Sequence, residues 1–232
     1  MLILAIDTTS PAGSVALLRD VAVVSEVASA DEEQYSTRLF RDVERVVREA
    51  AVAMTDVQLY AVASGPGSFT GVRVGLAAVK AWAEVYRKPV AAVSALEAMA
   101  FQSAAATPLI AGIADAHRGQ LFAGLYERIE SGMRRRSDDV VMPPAECMAY
   151  LVEQAAGSPF VIRTTSPEIV RAALAGSAAA GTPVETADAA LAPSIGRLGY
   201  SRAQRGELVD ALTLDAHYVR RSDAELLWHD RK

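Results

Sequence analysis

The sequence has very little cysteine and histidine. It contains one cysteine, Cys147, and three histidines, His117, His217 and His229. An internal disulfide is therefore excluded, and no two histidines have the spacing of three or four residues that places two ligands on one metal from one helix. We expect no metal site. Cys147 follows Pro-Pro-Ala-Glu at a helix start, a position typical of a core thiol rather than of a nucleophile.

Long apolar runs and excess positive charge are also absent. No run approaches the roughly 20 residues of a membrane helix, and Leu2–Ile6 is too short for a signal peptide. The formal net charge of -5 argues against a chain that grips nucleic acid by itself. Neither a G-x-S-x-G elbow nor a Gly-Lys-Ser/Thr phosphate loop occurs. We expect a cytoplasmic protein without a membrane partner, and no catalytic residue is assigned.

What the sequence does contain is a regular alternation of short apolar segments. Three strand-like segments come first, followed by helix, strand, helix and strand, which is typical of an α/β fold with a mixed sheet and helices packed on it. The predicted strands of the first half are Leu2–Asp7, Ser14–Leu18, Val21–Val27, Leu59–Ala63 and Pro89–Val93, and the predicted helices are Tyr35–Met54, Gly71–Arg87 and about Ser94 to Ala104.

The same order of elements restarts in the second half, which indicates a divergent internal duplication. We predict domains at residues 1–104 and 105–232, with the last segment returning to the first domain. The predicted strands are Leu109–Asp115, Gln120–Arg128, the region of Asp138–Val141 and Phe160–Arg163; the helices are Pro144–Ala155, Pro167–Ala175 and Pro193–Gly206; Met133–Ser137 and Gly176–Thr182 are predicted loops.

The predicted helix Gly71–Arg87 is apolar around most of its circumference. One face carries Val72, Leu76, Val79, Ala83 and Tyr86, and a second carries Gly75, Ala78, Trp82 and Val85. One face can lie on the chain's own sheet, and the other needs a cover, from the second domain or from a partner subunit. We expect small residues such as Gly75 and Ala78 to lie where helices approach closely.

The predicted helix Tyr35–Met54 has one apolar face that includes Leu39 and Val43. Its opposite side carries four arginines. Either this side is a solvated face with i,i+4 ion pairs, or it meets an acidic partner or a phosphate backbone. The four are Arg38, Arg41, Arg45 and Arg48.

Two strands end in an aspartate followed by a turn. Asp7-Thr8-Thr9-Ser10 and Asp115-Ala116-His117-Arg118-Gly119 could hold hydrated Mg²⁺ and touch phosphates across a cleft between the domains. Pro11 interrupts the first turn and bulky residues fill the second, so a nucleotide cleft here would be vestigial. Alternatively, the two aspartates only anchor their turns by hydrogen bonds to the backbone. The candidate cleft residues are Asp7, Thr8, Ser10, Asp115 and Arg118.

Five motifs carry a resemblance to a known family. They are Ile3-Leu4-Ala5-Ile6-Asp7-Thr8-Thr9, the run GPGSFTGVRVG from Gly65 to Gly75, Val93-Ser94-Ala95-Leu96-Glu97, the run DAHRGQLF from Asp115 to Phe122, and the run YVRRSDAEL from Tyr218 to Leu226. In this order they are similar to the TsaB (YeaZ) family. The glycine run, which turns directly into a helix that Ser68 or Thr70 can cap, is the most specific of them.

The resemblance implies two ribonuclease-H-like domains of the actin-like ATPase and sugar-kinase superfamily. It implies a non-catalytic subunit without a cofactor of its own, which joins TsaD and the ATPase TsaE to form threonylcarbamoyladenosine in tRNA. ATP would be used by the complex, tRNA would be met only through it, and the isolated chain would form a homodimer. The implied contact surface is a bundle of the first two long helices. The expected interface residues are Leu39, Val43, Val72, Gly75, Leu76, Ala78, Val79 and Trp82.

Two alternatives stay open at this point, an active ATPase or kinase of the same fold and a glycoprotease-like metallopeptidase. The first would need intact phosphate and adenosine loops, and the second a pair of metal ligands. Two positions also depart from the family pattern. Tyr35 stands where many relatives carry histidine, and Ala216-His217 stand where many carry proline before the tyrosine segment.

Overall fold

A computed structural model describes residues 1–28 and 35–220, with the backbone alone described at 35 and 36. The first half forms a five-stranded mixed sheet in the order β3-β2-β1-β4-β5. The first three strands are antiparallel neighbours, and the last two join β1 in parallel. The strands are β1 (Leu2–Asp7), β2 (Ser14–Arg19), β3 (Ala22–Ala28), β4 (Leu59–Gly65) and β5 (Val90–Ser94).

The second half repeats this topology. Its sheet has the order β11-β10-β6-β7-β8, with β9 paired to β7 beside it. The first three strands are again antiparallel and the last two again parallel, so the predicted duplication is confirmed at the level of strand order. The strands are β6 (Leu109–Asp115), β7 (Leu121–Ile129), β8 (Gly132–Arg135), β9 (Val140–Met142), β10 (Phe160–Thr164) and β11 (Val184–Thr186).

Six α-helices of the described residues cover the sheets in three apolar layers. They are α1 (Tyr35–Glu49), α2 (Phe69–Tyr86), α3 (Ala95–Phe101), α4 (Pro144–Ala155), α5 (Pro167–Leu174) and α6 (Ala192–Arg205). Helices α1 and α2 cover one face of the first sheet, and α4 and α5 cover the outer face of the second. Helices α3 and α6 lie in the central layer, between the inner faces of both sheets.

Side-chain alternation along β1 explains why two layers form on the first sheet. Successive residues of a strand point to opposite faces. Ile3 and Ala5 therefore pack in the central layer, whereas Leu4 and Ile6 pack under α1 and α2. All four are fully buried, as expected for the centre of a sheet that is covered on both sides.

Helix α6 belongs spatially to the first sheet although it comes last in the chain. The backbone N–H of Ala192 donates a hydrogen bond to Ser14 Oγ, at the start of β2, at 2.9 Å. A side chain at Gly196 would overlap Leu18, so glycine permits close packing of the helix on β2. Helix α6 therefore packs on the first sheet, and the domain division at residues 104 and 105 stays a prediction.

The main differences from the sequence predictions concern the end of α1 and the two short strands β8 and β11. Helix α1 ends at Glu49 instead of Met54, because the chain turns at Ala51, whose φ of 53° is left-handed. The predicted loop Met133–Ser137 is wrong in its first half, where β8 pairs with β7 as an edge strand. Strand β11 was missed as well; it is three residues long and is defined by pairing with β10 rather than by apolar content.

Candidate functional site

The glycine run lies directly on the first aspartate turn. The backbone N–H of Ser68 donates to the Thr9 carbonyl oxygen at 2.7 Å, and the Thr8 hydroxyl donates to the Gly71 carbonyl oxygen at 2.7 Å. Ser68 also caps α2 by accepting a hydrogen bond from Gly71 N–H. The capping predicted for Ser68 is confirmed, and the helix start and the turn form one hydrogen-bonded unit.

Three glycines make this close approach possible. A side chain at Gly67 would overlap the Thr9 carbonyl oxygen, and one at Gly71 would overlap that of Thr8. One at Gly75 would overlap the Thr8 hydroxyl. These glycines therefore serve the packing of α2 on the turn, within the chain itself.

Asp7 is buried and holds the turn from within. Its Oδ1 accepts hydrogen bonds from the Thr9 N–H at 2.9 Å and the Thr9 hydroxyl at 2.7 Å, whereas its buried Oδ2 has no hydrogen-bond partner in the described structure. Burial raises the pKa of Asp7, and the two bonds from Thr9 oppose that rise. Asp7 therefore makes the hydrogen bonds expected of an aspartate that anchors its turn, and the vestigial nucleotide cleft stays a prediction.

The second turn has the same hydrogen bond in a more open setting. Asp115 Oδ1 accepts from the His117 N–H at 2.7 Å. His117 and Arg118 both have left-handed backbones, with φ of 58° and 54°, and the His117 side chain is 81% exposed. Asp115 thus anchors its turn as Asp7 does, but the backbone at this turn is strained and its side chains face solvent.

Most of the residues predicted to form the interface are buried by the chain's own atoms. Leu39, Val43, Val72, Gly75, Leu76, Ala78 and Val79 are buried, and Trp82 is half-buried. The expectation that Gly75 and Ala78 face another subunit is corrected here, because Gly75 meets Thr8 and Ala78 packs in the outer core of the first sheet. Whether helices α1 and α2 bind a partner stays a prediction.

A different set of residues forms the exposed surface of these helices. Val85 is 72% exposed and Phe40 is 57% exposed. The Phe40 ring lies edge-on to Trp82 with centroids 5.6 Å apart, and Trp82 stacks on Tyr60 beneath it. Ala77 and Ala81 are exposed small residues one turn apart on α2. They lie between Val85 and the start of the helix. This surface, Phe40, Ala77, Ala81, Trp82 and Val85, is called the α1–α2 face below.

The arginines of α1 do not share one environment. Arg41, Arg45 and Arg48 are exposed, and Arg45 binds Glu49 at 2.8 Å. Arg38 is buried instead, and its guanidinium donates to the Pro11 carbonyl oxygen at 3.0 Å. The prediction that all four arginines form a solvent-exposed stripe is therefore wrong at Arg38. The buried Arg38 side chain instead supports the loop that follows the first aspartate turn.

Sequence reasoning missed a buried polar cluster between the two sheets. Asp139 Oδ2 accepts from the Ser94 hydroxyl at 2.8 Å, and Oδ1 accepts from the Tyr126 hydroxyl at 2.5 Å. Arg135 lies 3.4 Å and His217 Nε2 3.3 Å from Oδ2. No spacing signal could reveal this cluster, because its members come from β5, β7, β8, the loop before β9 and the segment after α6.

The charges in this cluster favour an ionised Asp139. Burial opposes ionisation, but the contacts of His217, Tyr126 and Ser94 and the charge of Arg135 together lower the pKa of Asp139. Burial, together with the neighbouring carboxylate, raises the pKa of Tyr126 well above its ordinary value. Nearby, burial raises the pKa of Glu97, and the Arg202 guanidinium that donates to it at 2.6 Å opposes this rise.

The cluster contains serine, histidine and aspartate but not the geometry of a nucleophile. A hydrolytic triad needs histidine between serine and aspartate, so that the imidazole takes the hydroxyl proton. Here Ser94 donates directly to Asp139. This direct contact is not the order of a triad. Burial raises the pKa of the Cys147 thiol to about 12, which disfavours the thiolate that acts as a nucleophile.

The described residues contain neither a metal-binding cluster nor a membrane-spanning helix. In residues 1–28 and 35–220, no group of three or more histidine, cysteine, aspartate or glutamate side chains could hold a metal ion. Over the same residues, no helix has the length and apolarity needed to cross a membrane. The departure at Tyr35 concerns a side chain that lies outside the described residues, as does the part of the last family motif from Arg221 onward.

Comparison with known proteins gives consistent relatives. The family model for tRNA N6-adenosine threonylcarbamoyltransferase (TsaD) matches residues 22–187. The tRNA threonylcarbamoyladenosine biosynthesis protein TsaB of Escherichia coli K12 is 32% identical over 160 residues, 68% of each chain. The protein of the same name from Bacillus subtilis strain 168 is 39% identical over 127 residues, 55% of this chain and 56% of the relative. The alignment thus spans little more than half of that relative.

Solved structures extend the likeness over the whole fold. YeaZ from Pseudomonas aeruginosa superposes with a TM-score of 0.79 at 25% identity, covering 94% of this chain and 99% of that one. A ROK family protein from Streptococcus pneumoniae, solved in complex with sucrose, has a TM-score of 0.51 at 10% identity, covering 89% and 100%. The second likeness concerns the fold alone. The predicted α/β class, with two mixed sheets and helices packed on them, is confirmed.

Proposed function

The chain belongs to the TsaB (YeaZ) family, and from this premise we propose that it is a non-catalytic subunit in the formation of threonylcarbamoyladenosine in tRNA. Its partner in this proposal is a TsaD-type transferase, with TsaE joining the pair. When the chain is isolated, the surface that binds TsaD in this proposal pairs with a second copy of the chain. The subunit works in the cytoplasm, carries no cofactor, and meets tRNA only through the complex.

The observation that carries the proposal is the α1–α2 face. Val85 and Phe40 are large apolar residues left exposed on neighbouring helices, and the Trp82 ring beside them is only half-buried. Aromatic side chains are enriched in the cores of protein interfaces. Ala77 and Ala81 would let a partner helix approach closely between them, as small residues do at helix contacts.

The first aspartate turn favours a binding role over nucleotide chemistry. A phosphate at such a turn takes hydrogen bonds from its backbone N–H groups. Here the Thr9 N–H donates to Asp7, and the Thr9 carbonyl and Thr8 hydroxyl are engaged with the start of α2. An ATPase or kinase of the same fold is the alternative that this packing disfavours. The contacts of Asp139, which are with Ser94, Tyr126, Arg135 and His217, give no support to a metallopeptidase.

The proposal is tested by co-purification with tagged TsaD from the same organism. Val85→Arg places a charge in the centre of the α1–α2 face, and we expect a folded variant that has lost at least about tenfold in TsaD affinity, since a buried unpaired charge is costly. Ile169→Arg is the matched control, because Ile169 is also an exposed apolar residue of a helix but lies on α5, which covers the outer face of the second sheet.

The control variant should bind as the unmodified chain does. A folded Val85→Arg variant that binds TsaD normally would place the interface elsewhere. ATP turnover by the purified chain that disappears on Asp7→Ala would favour the ATPase alternative instead.

A further inference from the structure

The segment that follows α6 runs back along the first half, and its last described residues contact the second half. Residues 216–220 of this segment, called the strap below, contact both. On the first sheet, the His217 N–H donates to the Ser64 carbonyl oxygen at 2.8 Å, at the end of β4. Ala216 packs with the outer core of the first sheet, and Val219 with the central layer.

The Tyr218 side chain fixes the strap to α2 alone. Its hydroxyl lies 2.7 Å from Arg73 Nε, which donates to it, and its ring lies 5.2 Å from the Phe69 ring. The Arg73 guanidinium carbon lies over the Phe69 ring, 3.7 Å from its centroid. Tyr218 is 46% exposed, so these contacts lie at the surface of the first half.

Two other side chains of the strap reach the second half. His217 Nε2 lies 3.3 Å from Asp139 Oδ2, and Asp139 has no solvent-exposed side-chain surface. Arg220 donates to Gln120 Oε1 at 2.8 Å and lies over the Phe122 ring at 5.6 Å. Gln120 closes the second aspartate turn, because its backbone carbonyl accepts from the Ala116 N–H at 3.0 Å.

The Asp139 carboxylate is contacted from three parts of the molecule, which are the two sheets and the strap. Ser94 comes from β5 of the first sheet, Tyr126 from β7 of the second, and the imidazole from the strap, and all meet one carboxylate. A buried carboxylate that loses one of its partners leaves the remaining partners less favourably placed. The strap, the two sheets and Asp139 are therefore mutually dependent.

We propose that the strap is a clamp that fixes the two halves of the molecule relative to each other, through His217 on Asp139 and Arg220 on Gln120. With the clamp in place, the strap connects two places, the end of β5 where α3 begins and the second aspartate turn. When the strap is released, the central layer between the sheets opens more often. None of the clamp residues belongs to the α1–α2 face.

Hydrogen exchange of the full chain, followed by mass spectrometry, tests the clamp. The variant His217→Ala/Arg220→Met removes both bridges to the second half. We expect exchange at least about fivefold faster in peptides that cover Asp115–Gln120 and β9, since local opening follows the number of contacts that close it. Tyr218→Phe is the matched control, because it removes one hydrogen bond of the same strap, to α2 only.

The control should leave exchange in the second half unchanged. Unaltered exchange at Asp115–Gln120 and β9 in a folded double variant would overturn the proposal, and so would an equal acceleration in Tyr218→Phe. Arg220→Met alone serves if the double variant does not fold. It should accelerate exchange at Asp115–Gln120, and the absence of any change there would likewise count against the clamp.

Discussion

The two aspartate turns occupy the same place in two copies of one topology, yet they differ in what covers them. Each follows the first strand of its sheet, and in each the aspartate Oδ1 accepts from the N–H two residues later. The Asp7 turn is buried beneath the start of α2, whereas the Asp115 turn carries an exposed histidine on a left-handed backbone. The aspartate alone therefore does not decide what such a turn can do.

The difference comes from the helix that follows the parallel neighbour of the first strand in each sheet, which is β4 beside β1 and β10 beside β6. In the first half this helix is α2, and three glycines at intervals of four residues let it rest on the turn. In the second half it is α5, which begins at Pro167 and is eight residues long. The glycine run characteristic of the family thus acts on the chain's own turn, and the second turn keeps its strain and its exposure.

The largest effect is expected from breaking the glycine contact. Gly71→Ala should lower the free energy of unfolding by about 3 kcal/mol or more, because the methyl group would overlap the Thr8 carbonyl oxygen and force backbone to move. Gly119→Ala, in the second turn, meets nothing within 4 Å and should cost about 1 kcal/mol, for its φ of 72° alone. Urea denaturation measures both; equal losses would contradict the role given to Gly71.

An intermediate effect is expected from the charge of Asp7. Its pKa in the folded chain lies above the ordinary value of 3.8, so the contribution of Asp7 to stability is fully present below that value and is lost as pH rises through the folded pKa. The loss can reach about 1.4 kcal/mol per pH unit in that window. Asp7→Asn should remove this part of the decline. Unfolding free energies measured at intervals above pH 3.8 check it, and an unchanged slope in the variant would exclude burial as the controlling factor.

The smallest effect is expected from relieving the second turn. His117→Gly should raise the free energy of unfolding by about 0.5 kcal/mol, because glycine adopts a φ of 58° without the steric cost that histidine carries. The side chain is largely exposed, so few contacts are lost. Thermal unfolding at one fixed pH measures this shift. A decrease instead would mean that the imidazole stabilises the turn through its contact with Asp115.

Periodicity and turn residues were sufficient to predict most of the fold. The alternation of strand-like and helical segments predicted both sheets, and the repeated order of these elements indicated the duplication. The end of α1 was missed because Val52 and Met54 still pack on the same core after the helix has ended, so the apolar pattern continues past Ala51. Strand β8 was missed because an edge strand buries little, here chiefly Met133.

The candidate site was harder to predict, because its geometry depends on contacts between distant segments. A helical wheel identified the faces of α2 but not that Thr8 would cover Gly75. Arg38 was assigned to solvent since charged residues usually lie there, and its burial depends on Pro11, which is 27 residues away. Asp139 and His217 share no local pattern at all, and only the strap brings them together.

The position of α6 constrains the order in which the molecule can form. The inner face of the first sheet is covered by a helix that is synthesised almost two hundred residues after β1, as the contact between Ser14 and Ala192 shows at a separation of 178 residues. During translation the earliest strands therefore expose apolar surface until the last helix has emerged from the ribosome. Contacts of such separation slow folding and leave nascent chains open to aggregation. The two halves share a topology, but only the second can bury both of its faces from neighbouring sequence.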